Sequence, residues 1–308
     1  MLSEYVDYLF SLFPSEAFSQ SFNDRQLVIA IDAGNGMGGH TAPAVMSRIN
    51  AHIHGIYFDL DGTFPNHEAN PIDPKNLADL QKLVKKKRAD IGLAFDGDAD
   101  RCFIVDENGD LVTPSALTAL IAKRELSKNP GSSVIYNLIS SKAVPEVIIE
   151  CGGVPLRSRV GHSFIKQMMA DNQAIFGGEH SGHFYFKDFW RADSGMLAAL
   201  HAIAALFDTQ KPLSKVLSPY QKYSMSGELN TKVKNQQSAI STIKSHFEES
   251  AEKVDFDDLD GLTITSKSWW LNLRPSNTEP LLRLNVEAET DRAVQSLVSE
   301  VLDILKKQ

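Results

Sequence analysis

Three short apolar runs divide the first third of the chain, and each ends in a turn rich in aspartate or glycine. The runs are Leu27 to Ile31, His54 to Phe58 and Ile91 to Phe95, followed by DAGNGMGG, DLDGTFPN and DGDADR. Between the second and third runs, Asn76 to Arg88 has the apolar spacing of a helix. Short strands that alternate with helices are typical of an α/β domain with a largely parallel sheet. We therefore expect such a domain over residues 23–113.

The rest of the chain repeats this pattern once and then departs from it. Residues 114–219 again alternate helical stretches with strand-like runs such as SVIYNLI (Ser133 to Ile139). From about Tyr220 onward, two helical stretches flank the strand-rich segment LTITSKSWWLNLRPSNTEPLLRLNVEA. The predicted fold class is therefore α/β: two consecutive α/β domains with mixed, mainly parallel sheets (23–113 and 114–219), followed by a small α+β C-terminal domain (220–308). Residues 1–22 are predicted to form a helix and a linker.

Charge and cysteine content restrict the class of protein. The chain has 308 residues and a formal net charge of −8, which argues against a protein that mainly neutralises nucleic-acid phosphates. Two cysteines, Cys102 and Cys151, are too few for a disulfide framework, so a reducing compartment fits. No apolar run approaches the roughly 20 residues that span a membrane. We expect a cytoplasmic protein with no nucleic-acid or membrane partner.

The segment DGDADR (96–101) is the most informative motif. Its three carboxylates, Asp96, Asp98 and Asp100, alternate along the chain directly after an apolar strand, so they can converge on one side of the loop. Oxygen ligands of this kind suit Mg²⁺, and Arg101 could hold a phosphate oxygen beside the metal. Two alternatives can be weighed on the residues alone. A calcium-binding EF-hand loop is disfavoured because it needs glycine where Arg101 stands. An acidic surface turn needs only this spacing and stays open.

A second polar segment, GGEHSGHFYF (177–186), is set among strand-like residues. Glu179 and Ser181 are two positions apart, so both could face one ligand in an extended loop, with His183 nearby. A carboxylate and a hydroxyl can together hold adjacent hydroxyl groups of a sugar. The same residues fit a polar turn between strands equally well.

A third segment, RPSNTEP (274–280), combines one positive charge with several hydrogen-bond donors. Its polar side chains are those of Arg274, Ser276, Asn277 and Thr278. A guanidinium, hydroxyls and an amide within one short loop suit a phosphate dianion. Serine, asparagine and threonine are also frequent in capped turns, so the loop alone does not exclude that interpretation.

Together these segments resemble the α-D-phosphohexomutase family, which includes phosphomannomutase and phosphoglucomutase. DGDADR resembles the family's metal loop, DGTFPNHEANP (61–71) its second-domain segment, GGEHSGHFYF its sugar-recognition loop and RPSNTEP its phosphate-binding loop. The four matches occur in the family's order and cover almost the whole chain. A further segment, NLISSKAVPEVI, resembles the bacterial phosphomannomutase branch.

The resemblance implies an enzyme that interconverts hexose 6-phosphate and hexose 1-phosphate by Mg²⁺-dependent phosphoryl transfer, with a hexose bisphosphate as intermediate and activator. RVGHSFIK also resembles the family's glycine-histidine loop, in which a histidine could carry a proton, although a structural role fits that histidine as well. By this likeness the site residues form four groups: the metal ligands Asp96, Asp98 and Asp100; the catalytic Arg101 and His162; the sugar-binding Glu179, Ser181 and His183; and the phosphate-binding Arg274, Ser276, Asn277 and Thr278.

One family motif has no match in the printed sequence. The family's first domain carries a phosphoserine loop of the type TxSHNP, and neither Asn-Pro pair of this chain, at 70–71 and 129–130, follows Ser-His. We therefore expect domains two to four, with residues 1–22 as the remainder of the first. Alone, such a chain should be inactive or crippled as a mutase. It could also be a non-catalytic module that binds hexose phosphate and metal, or one that a separate first-domain fragment complements.

Two further motifs point to other functions. DLDGT (59–63) imitates the DxDGT motif of haloacid-dehalogenase-type phosphatases and mutases, in which Asp59 would be phosphorylated. That motif normally ends the first strand of its domain, whereas a strand and a helix are predicted before it here. GNGMGG (34–39) lacks both the spacing of a dinucleotide loop and the lysine of a nucleotide-binding loop. Its glycines are expected only to permit a tight turn between strand and helix.

Overall fold

The chain folds into two compact units. The computed structural model describes residues 1–276 and 279–306. The first unit comprises Met1–Ser140 and Val144–Tyr220, and the second comprises Ser141–Ala143 and Gln221–Gln308.

The first sheet has parallel strands at one side and antiparallel strands at the other. Its strands are β1 (Leu27–Asp32), β2 (Ala51–Ile56), β3 (Ile91–Phe95), β4 (Cys102–Asp106) and β5 (Leu111–Val112), in the order β2-β1-β3-β4-β5. The helices of this part are α1 (Leu2–Ser11), α2 (Gly38–Met46) and α3 (Ala78–Lys87). β1 pairs in parallel with β2 and β3, whereas β4 is antiparallel to both of its neighbours. The carboxyl ends of β1 and β3 therefore meet at one edge, where ligands usually bind to such sheets.

The second sheet repeats this arrangement. Its strands are β6 (Ser133–Asn137), β7 (Val154–Ser158), β8 (Phe176–Gly178), β9 (Phe184–Phe186) and β10 (Ala192–Asp193), in the order β10-β9-β8-β6-β7. β6 pairs in parallel with β7 and β8, and β9 is antiparallel to β8 and β10. The helices of this part are α4 (Pro114–Lys128), α5 (Ala143–Glu150), α6 (His162–Asp171), α7 (Gly195–Thr209) and α8 (Leu213–Leu217).

Helix α7 lies in the centre of the core of the first unit. Every residue from Gly195 to Phe207 is buried. The same core cluster contains side chains from both sheets, for example Leu93 and Phe176, and from α1, for example Leu9. A helix that is apolar all round packs inside a core rather than on a surface. One shared core therefore explains why two sheets form a single unit.

The second unit is an antiparallel sheet covered by two helices. Its strands are β11 (Ser224–Met225), β12 (Leu229–Lys232), β13 (Asp255–Asp257), β14 (Leu262–Thr265), β15 (Trp269–Pro275) and β16 (Leu281–Ala288), and its helices are α9 (Gln236–Glu248) and α10 (Asp291–Leu305). The strand order is β11-β16-β15-β14-β13, and β12 also pairs with β16. Ile243, Leu271, Leu284 and Val301 belong to a separate apolar core of this unit.

The predicted fold class is confirmed, and the differences concern where elements begin and end. The strand expected at 54–58 is β2 at Ala51–Ile56, because Tyr57 has φ +58 and leaves the extended region. The helix expected at 76–88 begins with a 3₁₀ turn, Pro74–Leu77, and α3 ends at Lys87, because the next residue, Arg88, has φ +52. The domain boundaries near residues 22, 113 and 219 stay predictions. None of the helices in the described part of the chain has the length and apolar character that crossing a membrane requires.

Candidate active site

The metal loop, residues 96–101, leaves the carboxyl end of β3 and brings its three aspartates together. One carboxylate oxygen each from Asp96, Asp98 and Asp100 lies within 4.8 Å of the others. Asp96 is buried, whereas Asp98 is exposed and Asp100 is intermediate. Ala99 has φ +64, so the loop curls at that residue instead of continuing as a strand. The curled backbone therefore places alternate carboxylates around one point.

The electrostatics of this cluster favour a cation. Burial, together with the charges of Asp96, Asp98 and Asp193, raises the pKa of Asp100 to about 7. Its Oδ1 atom is shielded from solvent and has no hydrogen-bond partner among the described residues. Carboxylates crowded in this way repel one another unless a proton or a metal ion lies between them. The residues present therefore fit a hard divalent cation such as Mg²⁺.

Arg101 is held at the end of the metal loop by two neighbours. Its Nε donates to Asp96 Oδ2 at 2.7 Å, and its backbone N–H donates to Asp96 Oδ1 at 3.1 Å. Its Nη1 donates to Asn70 Oδ1 at 3.3 Å. Asn70 belongs to the segment FPNHEANP, which sequence reasoning matched to the family without assigning any side chain a role. That segment is itself anchored to β1, where His67 Nε2 lies 3.0 Å from the buried Asp32 Oδ2.

The glycine-rich turn after β1 also packs against the metal loop. The Met37 backbone N–H donates to the Gly97 carbonyl at 2.9 Å. A Cβ atom at Gly36 would lie 2.5 Å from the same carbonyl oxygen, so a larger residue could be placed there only if one of the two loops shifted. Gly34, by contrast, has φ +52, a conformation that glycine adopts without strain. Gly34 therefore permits the tight turn, as the sequence predicted. This turn therefore supports the site as well as connecting β1 to α2.

The sugar loop, residues 177–183, lies beside the metal loop in the first unit. Arg101 and His183 form an isolated antiparallel bridge between the two segments. His183 Nδ1 lies 2.9 Å from Ser181 Oγ, and His183 Nε2 lies 3.7 Å from Asp100 Oδ2. The structure thus brings the predicted sugar-binding residues Ser181 and His183 next to the predicted metal ligands.

Glu179 is held more tightly than the sequence suggested. It is buried, and its Oε1 accepts a hydrogen bond of 2.6 Å from the hydroxyl of Tyr185. Its Oε2 accepts from the backbone N–H of Gly161 at 3.3 Å. Burial and the neighbouring Glu179 carboxylate raise the pKa of Tyr185, so its hydroxyl stays protonated and able to donate. Glu179 therefore links the sugar loop to the glycine-histidine loop.

His162 is less closely engaged than His183. It is exposed at the first position of α6, directly after Gly161, whose φ is +130. A proton carrier must come within hydrogen-bond reach of the group it serves, so an exposed histidine at a helix start needs a ligand to define its role. The role of His162 stays a prediction.

Asp193 is a residue of the cluster that sequence reasoning missed. Its Oδ1 lies 3.0 Å from Lys166 Nζ, and its Oδ2 lies 3.8 Å from His183 Nε2. Asp100, His183 and Asp193 also bring ligand atoms within 4.8 Å of one another. Asp193 lies on β10, outside every recognised motif, and it reaches the site only because β10 pairs with β9. No local sequence signal marks it.

The predicted phosphate loop lies in the second unit. Arg274 is buried on β15, and its Nη2 donates to Glu228 Oε2 at 2.5 Å. Ser276 is also buried, and its backbone N–H donates to the Leu281 carbonyl at 2.9 Å. Asn277 and Thr278 lie outside the described residues. The loop therefore joins β15 to β16 with its arginine already paired to a carboxylate.

Three models of one family match successive parts of the chain. The models of the phosphoglucomutase/phosphomannomutase alpha/beta/alpha domains II and III match residues 3–109 and 113–223, and that of the C-terminal domain matches residues 228–304. The chain belongs to the phosphoglucomutase/phosphomannomutase family. The resemblance inferred from four motifs is thus confirmed over almost the whole chain.

Relatives within this family are similar to most of this chain. A phosphomannomutase of Methanocaldococcus jannaschii is 40% identical over 279 residues, which are 91% of this chain and 61% of that protein. The crystal structure of a phosphoglucomutase/phosphomannomutase family protein from Burkholderia thailandensis has a TM-score of 0.85 at 29% identity, covering 99% of this chain and 64% of that one. The chain therefore spans a little over three fifths of the length of these relatives.

A more distant member of the fold has been solved with ligands. It is Aspergillus fumigatus N-acetylphosphoglucosamine mutase in complex with GlcNAc-6P and magnesium, with a TM-score of 0.67 and 15% identity over 98% of this chain and 65% of that one. At this identity the likeness shows the fold alone.

Membership of the phosphoglucomutase/phosphomannomutase family argues against the haloacid-dehalogenase interpretation of DLDGT. Asp59 is exposed and follows β2, a strand at the edge of its sheet. Asp61 instead accepts hydrogen bonds from the backbone N–H and the hydroxyl of Thr63, at 2.9 and 2.7 Å, as in a local turn. The similarity to DxDGT is therefore confined to the letters of the motif.

Proposed function

We propose that this chain supplies metal, sugar and phosphate recognition for a hexose-phosphate mutase, which interconverts hexose 6-phosphate and hexose 1-phosphate. The observation that carries the proposal is the convergence of two loops in the first unit. The backbone of His183 in the sugar loop forms an isolated β-bridge with that of Arg101 in the metal loop. The Nε2 atom of His183 lies 3.7 Å from Asp100 Oδ2. A phosphoryl acceptor held by the sugar loop would therefore lie next to the cation and the guanidinium of the metal loop.

The metal loop provides the electrostatic part of the reaction. Mg²⁺ bound by Asp96, Asp98 and Asp100 would neutralise charge on the phosphoryl group during transfer. Arg101, oriented by Asp96 and Asn70, presents a guanidinium that can hold the phosphoryl oxygens. Stabilising charge as it develops is the largest contribution an enzyme makes to such a transfer.

The sugar loop provides orientation. Ser181 offers a hydroxyl beside His183, and the buried Glu179 is fixed by Tyr185. A hexose hydroxyl held by Ser181 would present its reacting oxygen within reach of an imidazole. Because His183 lies among the carboxylates and His162 is exposed, His183 joins His162 as a candidate proton carrier.

The phosphate loop is the part of the chain that we expect to bind a phosphate group of the substrate. Arg274 and Ser276, with Asn277 and Thr278 as further predicted contacts, would hold the phosphate that does not react. The relative named as a phosphomannomutase makes mannose phosphates the first substrates to test, with a hexose bisphosphate as intermediate. A cytoplasmic location and the division into three domains belong to the same proposal.

The nucleophile is the remaining requirement. The family's phosphoserine motif, TxSHNP, does not occur in the printed 308 residues. We therefore expect the phosphoserine to come from polypeptide outside these residues, either on the same chain or as a separate first-domain fragment.

A coupled assay tests this proposal. The 308-residue polypeptide would be mixed with mannose 1-phosphate, Mg²⁺ and a catalytic amount of hexose bisphosphate, and mannose 6-phosphate would be measured. We expect no turnover by this polypeptide alone, and turnover once a family first domain carrying the serine loop is added in trans. Robust turnover by the polypeptide alone would contradict the requirement for that serine. No turnover with the added domain, alongside tight sugar-phosphate binding, would favour a non-catalytic binding module.

A further inference from the structure

Two arginines lie opposite each other on neighbouring strands of the second unit. Arg274 of β15 is directly paired in register with Arg283 of β16. Residues opposite each other in an antiparallel pair have side chains on the same face, with Cβ atoms about 5 Å apart. Like charges in such positions repel each other, so an anion is needed between or beside them.

Glu228 supplies one anion. It directly precedes β12, and β12 pairs with β16, so the strand register brings the carboxylate to the two arginines. Its Oε2 accepts from Arg274 Nη2 at 2.5 Å, and its Oε1 lies 3.4 Å from Arg283 Nη1. The exposed fractions of the side chains are 10% for Arg274, 27% for Glu228 and 35% for Arg283. The carboxylate therefore interacts with the guanidinium of Arg274, the more buried of the two arginines, at reduced solvent screening.

One carboxylate does not satisfy two guanidiniums. Two positive charges face a single negative charge, so the cluster carries a net positive charge. The Nε atoms of Arg274 and Arg283 are both shielded from solvent, and neither has a hydrogen-bond partner within residues 1–276 and 279–306. Buried donors of charged groups are normally paired. The excess positive charge and the two Nε–H donors without a partner among the described residues could therefore bind a second anion.

We propose that Glu228 is an internal counter-ion that competes with phosphate for Arg274 and Arg283. In the free protein it keeps both guanidiniums aligned, and it lowers the affinity of the pair for phosphate. The inference rests on the proposed function, which assigns Arg274 to the phosphate loop. The consequence is an anion site whose affinity for phosphate is lowered by Glu228.

Phosphate titration tests the inference. Inorganic phosphate would be titrated into the full 308-residue chain by isothermal titration calorimetry at pH 7.5, with and without Glu228→Gln. Glutamine keeps a carbonyl that can accept from Arg274 and removes only the charge. We expect about threefold to tenfold tighter phosphate binding, because one repulsive charge next to the dianion disappears. The effect should shrink as ionic strength rises.

Three further variants make the result specific. Glu289→Gln removes the same charge from an exposed side chain just beyond β16, and phosphate affinity should stay unchanged. Arg274→Gln should abolish the binding, which locates the phosphate at this pair. Glu228→Ala also removes the hydrogen bond, and it should tighten binding in the same direction if Glu228→Gln does not fold.

The outcomes separate the inference from the function on which it rests. Equal or weaker phosphate binding in both Glu228 variants, with binding still dependent on Arg274, would overturn the counter-ion role and leave the phosphate loop assigned. Binding that survives Arg274→Gln, or that is absent from the parent and both Glu228 variants, would overturn the inference and the phosphate assignment together.

Discussion

At the scale of single residues, the metal loop shows how a spacing in sequence becomes a candidate site. Asp96, Asp98 and Asp100 alternate, and alternate residues of an extended segment share a side. The loop is nevertheless curled at Ala99, where φ is +64. The carboxylates converge through this turn in the backbone, which the spacing alone did not specify.

Asp98→Asn should abolish tight Mg²⁺ binding. Asp98 is exposed, so its replacement removes a charged oxygen ligand with little effect on folding. We expect the dissociation constant for Mg²⁺ to rise at least about tenfold, measured by isothermal titration calorimetry. Asp110→Asn, at an exposed position in the turn before β5, is the matched control and should bind as the parent does. Unchanged affinity in Asp98→Asn would place the cation elsewhere.

Mg²⁺ binding should release a proton near pH 6. Burial and neighbouring carboxylates raise the pKa of Asp100 to about 7, above its unfolded value near 4. In the metal-free protein this carboxyl group is protonated below pH 7. Between about pH 4 and pH 7 the folded chain therefore holds a proton that the unfolded chain has lost, and the free energy of unfolding falls as pH rises. A metal ion must displace that proton, and affinity should therefore fall between pH 8 and pH 6. Calorimetry in buffers of different ionisation enthalpy measures the release, and buffer-independent heats at pH 6 would contradict it.

At the scale of elements, the turn between β1 and α2 couples the sheet to the metal loop. Gly36→Ala would place a Cβ atom 2.5 Å from the Gly97 carbonyl oxygen. That contact must be relieved by moving one of the two loops, at a cost of about 1–3 kcal/mol in the free energy of unfolding. Mg²⁺ affinity should fall as well, because the shift displaces residues next to Asp96.

Gly62→Ala is the control for this prediction. Apart from Gly62 and its two chain neighbours, no atom of residues 1–276 or 279–306 lies within 4 Å of a Cβ atom at Gly62, so the unfolding free energy of this variant should change by no more than about 0.5 kcal/mol. Urea unfolding of both variants gives the comparison. Equal stability of the two would show that the turn tolerates a side chain at Gly36.

Helix α7 carries a buried histidine that should make the first unit sensitive to acid. His201 stacks on Phe186 with ring centroids 5.4 Å apart, and its Nε2 lies 3.5 Å from Glu125 Oε1. Burial, with the charges of Arg124 and Lys128, lowers the pKa of His201 well below 6.5. The unfolded chain therefore takes up a proton below about pH 6.5 that the folded chain does not, and stability is lost as pH falls.

Replacement of His201 isolates this effect. In His201→Gln, the fall in unfolding free energy between pH 6.5 and pH 5 should be shallower than in the parent, by up to about 1.4 kcal/mol per pH unit. His246→Gln, at an exposed position of α9, provides the control for loss of a histidine. Urea unfolding at several pH values measures both slopes. Parallel slopes in the parent and in His201→Gln would contradict the prediction.

Elements could be predicted from sequence where the signal is local. The hairpin at Asn108-Gly109 lies between β4 and β5 as expected, because Gly109 with φ +82 meets a requirement of the turn itself. The end of β2 could not be placed, because Tyr57 leaves the strand with φ +58 although aromatic residues favour strands. In that case tertiary packing outweighs the local preference.

At the scale of the whole molecule, the sequence indicated which segments carry chemistry, and the fold decides which of them meet. The metal and sugar loops were recognised separately, and the shared core around α7 places them in one unit. Asn70, Asp193 and Glu228 were missed because each reaches its partner only through strand pairing or loop packing. Sequence patterns report on periods of two to four residues, and such contacts between distant segments have no period.

The most direct test of the proposed site is a measurement of metal and sugar phosphate together. Mn²⁺ would replace Mg²⁺ in the 308-residue chain, and the ³¹P resonances of a bound hexose 1,6-bisphosphate would be recorded. We expect strong paramagnetic broadening of at least one resonance, which Asp98→Asn removes and Ser181→Ala weakens, because the two loops share one ligand. Bisphosphate binding without broadening, or broadening that persists in Asp98→Asn, would contradict a common site for metal and hexose phosphate.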